Sequence, residues 1–175
     1  MLKKFKIKTF GCQMNVYDSQ KICEILYKLG YKKTSIDRDS DIFLINTCHI
    51  REKAKQKLYS ELGKIYKIKK NRLKNNLSTI CVVAGCVAQA EGKEIFKRAP
   101  FVDIVVGSQA YHKLPSLIKN INLKLKKKLS IELDFAPKSK FDNLPKENIQ
   151  KEISSYLTIQ EGCNKFCKFC VVPYT

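Results

Sequence analysis

The amino-acid sequence predicts an α/β fold, a doubly wound parallel sheet, over residues 1–121. Two observations lead there. Short runs such as Ile42-Phe-Leu-Ile45 and Ile80-Cys-Val-Val83 are apolar throughout, so they have no face suited to water. Each such run is followed by a longer segment whose apolar residues recur at helical spacing. Strands buried on both faces and alternating with helices make a parallel sheet covered on each side.

The elements follow in order. Phe5 to Phe10 is a short alternating strand ending at Gly11-Cys12. Asn15 is placed to cap a helix with Ile22, Ile25, Leu26 and Leu29 inward, and Gly30 stops it. Asp41 to Thr47 reads as a buried strand ending at Cys48. A lysine-rich helix over about 50–70 puts Ala54, Leu58, Leu62 and Ile65 on one face. Thr79 to Ala84 is a strand ending at Gly85-Cys86, and a helix runs from about Ala88 to Arg98. Val102 to Val106 is a strand ending at Gly107, and Tyr111 to Ile121 a helix with Leu114, Leu117 and Ile118 inward.

Residues 122–152 change character, with lysines at Lys126 to Lys128, then Pro137 and Pro145. They read as a linker holding one strand around Leu129 to Phe135. Residues 153–175 begin a second unit, with a strand Ser154 to Gln160 leading into Gly162-Cys163.

Composition narrows the setting. No apolar run approaches the roughly 20 residues that cross a bilayer. The alternating charges of Leu2 to Thr9 do not make the apolar core of a signal peptide. A cytoplasmic protein is expected, without a membrane partner and monomeric. In that compartment eight cysteines argue for thiols or metal ligands rather than disulfides. The net charge of +18 suits a polyanion such as RNA. Yet the excess is 30 Lys against 4 Arg, which a base-composition bias or a solvated surface would also give.

Three cysteines, Cys163, Cys167 and Cys170, have C-x3-C-x2-C spacing. Three thiolates can hold a four-iron cluster and leave one iron open to the amino and carboxylate groups of a small molecule. Phe169 would pack beside such a ligand. Zinc with a fourth ligand from elsewhere, or redox thiols, are the alternatives. Cys12, Cys48 and Cys86 have no local spacing, but each falls at the carboxyl end of a different strand, where ligands of such sheets bind. They form either a metal site or a chance set of buried thiols. Cys23 and Cys81, within a helix and a strand, read as core. His49, beside Cys48, and His112 read as helix-start surface residues. No Ser/His/Asp set, paired carboxylates or phosphate-cradling glycine loop stands out.

At this point a family becomes visible. Thr9-Phe-Gly-Cys12-Gln-Met-Asn15 with Asp18-Ser19 resembles the N-terminal signature of the tRNA methylthiotransferases of the MiaB type, in the radical S-adenosylmethionine superfamily. Asn46-Thr-Cys48-His-Ile-Arg-Glu-Lys-Ala54, Gly85-Cys86-Val-Ala88 and Val102-Asp-Ile104 match in the same order. Glu161-Gly-Cys163 through Cys167 and Cys170 to Thr175 is similar to the family's radical loop.

The resemblance implies two 4Fe-4S clusters and S-adenosylmethionine as cofactors. Cys12, Cys48 and Cys86 would hold the auxiliary cluster, and Cys163, Cys167 and Cys170 the radical cluster. The implied reaction installs a methylthio group at C2 of N6-isopentenyladenosine beside the anticodon of tRNA, with an electron donor protein as partner. Relatives that act on threonylcarbamoyl-adenosine or on a ribosomal-protein aspartate are alternatives. The strings after Cys12 and Cys48 favour isopentenyladenosine.

The sequence stops five residues after Cys170, so the resemblance covers only the start of a partial (β/α) barrel. The expectation is an N-terminal fragment, inactive alone and poorly ordered from about residue 153. A non-catalytic iron–sulfur protein and, from a different class, a zinc-binding RNA-associated module are the other functions considered.

Overall fold

The structure, a computed structural model, describes residues 2–50, 52–123, 130–133, 144–145, 154, 156–170 and 172–174. Six strands are described: β1 (Lys4–Phe10), β2 (Lys32–Lys33), β3 (Ile42–Thr47), β4 (Ile80–Ala84), β5 (Ile104–Val106) and β6 (Ser130–Glu132). They form one sheet in the order β2-β1-β3-β4-β5-β6, and every neighbouring pair is parallel. The helices are α1 (Gln13–Lys28), α2 (Glu52–Lys74), α3 (Cys86–Arg98) and α4 (Leu114–Asn122). This is the α/β architecture the apolar runs predict.

Alternation along β3 and β4 explains the layers, because successive side chains point to opposite faces. Leu44 and Val82 pack with Ile22 and Leu26 of α1 and with Leu114 and Ile118 of α4. Phe43, Ile45, Cys81 and Val83 face the other way, onto Leu58, Leu62 and Ile65 of α2 and Val87 and Ile95 of α3. The cores are separate layers, one on each side of the sheet.

Several boundaries differ from expectation, each for a local reason. Helix α1 starts two residues before Asn15. Cys12 occupies the N-cap, and Asn15, at the third helical position, accepts the Cys12 amide through Oδ1 at 3.2 Å. Leu29 falls at the C-cap and is exposed rather than inward. Helix α2 runs to Lys74, and α3 begins at Cys86 rather than at Ala88. Strand β5 starts at Ile104; Asp103 just before it instead accepts the Cys81 amide. Tyr111–Lys113 form a 3-10 turn that leads into α4.

The strand expected near Leu129 to Phe135 is present as β6, which adds to the sheet beside β5. Leu144 is buried in the core under α1, and the Pro145 carbonyl accepts Lys21 Nζ at 3.1 Å. Parts of the expected linker therefore pack against the sheet domain. The lysines Lys126 to Lys128, and Pro137, lie outside the described residues. The strand expected over Ser154 to Gln160 is not seen at residues 156–160, and Leu157 and Ile159 are exposed. A strand needs a neighbour to bond, and this segment pairs with no strand among the described residues.

Candidate metal centre

Strands β1, β3 and β4 are neighbours, and their register aligns Thr9, Asn46 and Ala84 in one row. Cys12 lies three residues past that row, and Cys48 and Cys86 two past it. The chain runs outward from β1 to β2 and returns on the other side as β3. At such a reversal the loops diverge and open a crevice beyond the strand ends. Three cysteines thus follow neighbouring strand ends on one edge of the sheet.

Two glycines bring the segments this close. Gly11 has φ +133°, and a Cβ there would run into Asn15 Oδ1 and come to 2.6 Å from Cys48 Cβ. Gly85 has φ +93°, and its Cβ would run into Asn46 Oδ1 and come to 2.7 Å from the Thr47 carbonyl oxygen. Only a residue without a side chain allows both the backbone turn and the contact. The Cys48 amide also donates to the Phe10 carbonyl at 3.0 Å, which continues the β1–β3 ladder past the strands.

Beneath the thiols lies a buried polar network. Asn46 Nδ2 donates to the Asn15 carbonyl at 2.9 Å and to Ser19 Oγ at 3.0 Å. Asn15 Nδ2 returns to Asn46 Oδ1 at 3.3 Å, and Thr9 and Ser19 hydroxyls are 2.7 Å apart. Each bond contributes about 1 kcal/mol net, and leaving a partner unsatisfied costs more. The network fixes the first turn of α1, and so Cys12, against the end of β3, and so Cys48.

Electrostatics suits a negative guest. Cys12 is the N-cap of α1, and Cys86 is the first residue of α3. The free N–H groups and the dipole of a helix start favour nearby negative charge. Next to this edge, the Tyr111 hydroxyl donates to Asp18 Oδ2 at 3.0 Å. Burial pushes the Tyr111 hydroxyl well above its ordinary value, and Asp18, Cys86 and Glu161 push it the same way. The hydroxyl therefore stays a protonated donor.

All eight cysteines are free thiols; Cys48 is buried, and Cys12 and Cys86 are half-buried. Among the described residues, no three His, Cys, Asp or Glu side chains gather closely enough to hold one metal ion. A cubane is a different guest. Each thiolate binds a separate iron at its own corner, so the thiols must stand around a body rather than meet at a point. Thiol donors, two cradling glycines and helix starts fit such a cluster.

The second cysteine set is more open. Cys163 and Cys167 are exposed, Cys170 is half-buried, and the Cys170 amide donates to the Cys167 carbonyl at 2.9 Å. Phe169 is 95% exposed. Gln109 Nε2, three residues past β5, donates to Glu161 Oε2 at 3.1 Å. That bond tethers the approach to Cys163 to the carboxyl edge of the sheet. Cys23 and Cys81 lie in the two cores, and burial pushes the Cys81 thiol up to about 12. His49 is half-buried 3.6 Å from Glu91, and His112 lies on the turn before α4.

The thiols stand out in the sequence, whereas Asn46, Tyr111 and Gln109 gain a role only in the fold. Asn46 carried a readable signal, a lone amide closing an apolar strand. The partners of Tyr111 and Gln109 are 93 and 52 residues away in sequence, and no local pattern reveals them.

Comparison with known proteins bears on the same residues. The family model described as Uncharacterized protein family UPF0004 matches residues 4–107. The chain is 57% identical, over its whole length, to a tRNA-2-methylthio-N(6)-dimethylallyladenosine synthase of Rickettsia prowazekii, covering 39% of that protein. Proteins of the same name from Rickettsia felis and Rickettsia canadensis are 57% and 56% identical over the same extent. The chain thus spans about two fifths of the length of these relatives. With more than half of its residues inside the family model, the chain belongs to the uncharacterized protein family UPF0004.

Proposed function

We propose that this chain forms the cluster-bearing part of a tRNA methylthiotransferase acting on N6-isopentenyladenosine beside the anticodon. The observation that carries the proposal is the row of strand ends that puts Cys12, Cys48 and Cys86 on one edge beside the strand-order reversal. The names and identity of the Rickettsia relatives support the reaction class.

In this reading Cys12, Cys48 and Cys86 hold the auxiliary 4Fe-4S cluster, and Cys163, Cys167 and Cys170 hold a second. Together with S-adenosylmethionine, the bound clusters supply radical hydrogen abstraction and sulfur transfer. The chain's own residues do the positioning. Gly11 and Gly85 let three backbone turns crowd one crevice, and the Asn15–Asn46–Ser19 network keeps Cys12 and Cys48 in register. The Gln109–Glu161 bond holds the second loop to the same edge, and Phe169 stands free to pack on a cofactor. An electron donor protein completes the system. The reading places a monomer in the cytoplasm, where thiols stay reduced; among the described residues no helix is long and apolar enough to cross a membrane.

Anaerobic reconstitution of the chain with iron and sulfide tests the cluster assignment. The expected result is about eight irons, falling to about four when Cys12, Cys48 and Cys86 are all replaced by alanine. Zinc bound in place of iron, or a triple variant that keeps all its iron, overturns it. With isopentenylated tRNA, S-adenosylmethionine and a reductant, the 175-residue chain alone is expected to form no methylthio product. Turnover by the chain alone would contradict that.

A further inference from the structure

We infer that the outward face of α2 binds the sugar–phosphate backbone of an RNA, leading it toward the cysteine edge. Helix α2 carries eight lysines and Arg72 against Glu52 and Glu61. The inward or lateral cations are matched within the protein. Lys55 pairs with Glu91, Lys69 with Asp103 and Arg72 with Asp41. Glu61 is itself held by Lys8 and Lys64.

The outward cations are different. Lys53, Lys57, Lys64, Lys67, Lys70 and Lys74 are exposed, and their spacing of three, four or seven residues puts them on one face. Apart from the Lys64–Glu61 contact, none has an ion pair among the described residues. At 1.5 Å per residue the stripe is about 32 Å long. Like charges three or four apart cost an isolated helix a few tenths of a kcal/mol per pair. A surface that served only for solubility would do better with Glu–Lys pairs. A polyanion lying along the stripe removes the repulsion and releases its own counterions.

Position and shape select the polyanion. Glu52, the first residue of α2, is four past Cys48, and Lys57 Nζ stands 5.9 Å from the ring centre of Phe10, the last residue of β1. The stripe therefore starts at the candidate metal centre and runs away from it. A membrane would need an apolar face as well, but Leu58, Leu62 and Ile65 of α2 are buried on the sheet. Tyr66, at the margin of the lysines, packs one side of its ring near Phe101 at 4.9 Å between centroids and leaves the rest exposed for stacking. Among the described residues the other helices carry no such array. The inference deepens the tRNA reading above and rests on it only for which RNA is bound.

The test measures binding of a fluorescent RNA stem-loop to the 175-residue chain across a salt series. Replacing Lys64, Lys67, Lys70 and Lys74 by glutamine is expected to weaken binding about tenfold or more and to lower the salt slope by roughly one per contacting lysine. The same change at exposed Lys28, Lys32, Lys33 and Lys119, off the stripe, is expected to leave both nearly unchanged. Equal losses in the two variants, or phosphatidylglycerol vesicles binding the stripe in preference to RNA, overturn the inference. Reconstituted iron is measured alongside. Lost iron with stripe-dependent RNA binding intact defeats the cluster reading alone, and the converse defeats this inference alone.

Discussion

Asn46 and Asn15 clasp one another beneath the cysteine edge: Asn46 Nδ2 donates to the Asn15 carbonyl at 2.9 Å, and Asn15 Nδ2 donates to Asn46 Oδ1 at 3.3 Å. Both are almost wholly buried. Asn46→Leu keeps the volume but leaves the Asn15 amide without this acceptor, at a cost of about 2 kcal/mol. The urea midpoint is expected to fall, and reconstituted iron with it. An unchanged midpoint would mean that the clasp contributes nothing.

Two glycines offer opposite outcomes from one substitution. Gly11→Ala puts a methyl 2.6 Å from Cys48 Cβ at a φ of +133°, so it is expected to destabilise by about 1–3 kcal/mol and to disturb Cys48. Gly63, within α2, has nothing within 4 Å of its missing Cβ. Gly63→Ala is expected to stabilise by about 0.5–1 kcal/mol through helix propensity. Paired thermal unfolding curves check both; shifts of the same sign would refute the account.

The five thiols of the sheet domain divide into those at strand ends and those in the cores. Cys23→Ala and Cys81→Ala are expected to reconstitute with full iron, although each loses some stability. Cys48→Ala is expected to lose the first cluster's iron. Iron and sulfide analysis after desalting separates them, and a loss at Cys81 would place a ligand in the core of α2 and α3.

Much of this was legible in sequence because burial dictates composition. The run Ile42-Phe-Leu-Ile45 has no polar alternate, and only a strand covered on both faces tolerates that. The cysteines at strand ends could be read because the boundary between an apolar run and a helix fixes the edge. The first turn of α1 could not. Asn15 looks like a cap in isolation, and only the Gly11 turn makes Cys12 the cap and Asn15 its partner. The strand near Ser130–Glu132 was legible, but not its place in the sheet, since it is short and gains its register from β5. Contacts such as Tyr111 with Asp18 and Gln109 with Glu161 join distant segments, so they exist only once the sheet has assembled.

The buried Cys81 thiol sets an alkaline limit on stability. Burial, the dominant cause, raises it from 9.0 to about 12, and Asp103 adds to the rise while Lys69 opposes it. A raised folded value means that the folded state keeps its proton when the unfolded chain has lost it. The stability is therefore full below about pH 9 and is lost as pH rises toward 12, at up to about 1.4 kcal/mol per pH unit. Tyr111, also raised by burial and by Asp18, adds a loss of the same sign from about pH 10. Under reducing conditions the urea midpoint is expected to drop between pH 9 and 10.5. In Cys81→Ala the drop should begin about one unit later, when Tyr111 and Tyr59, whose hydroxyl burial and Glu91 also raise, remain to drive it. A midpoint flat over that range, or the same onset in the variant, would show that Cys81 ionises as freely in the folded protein as in the unfolded chain.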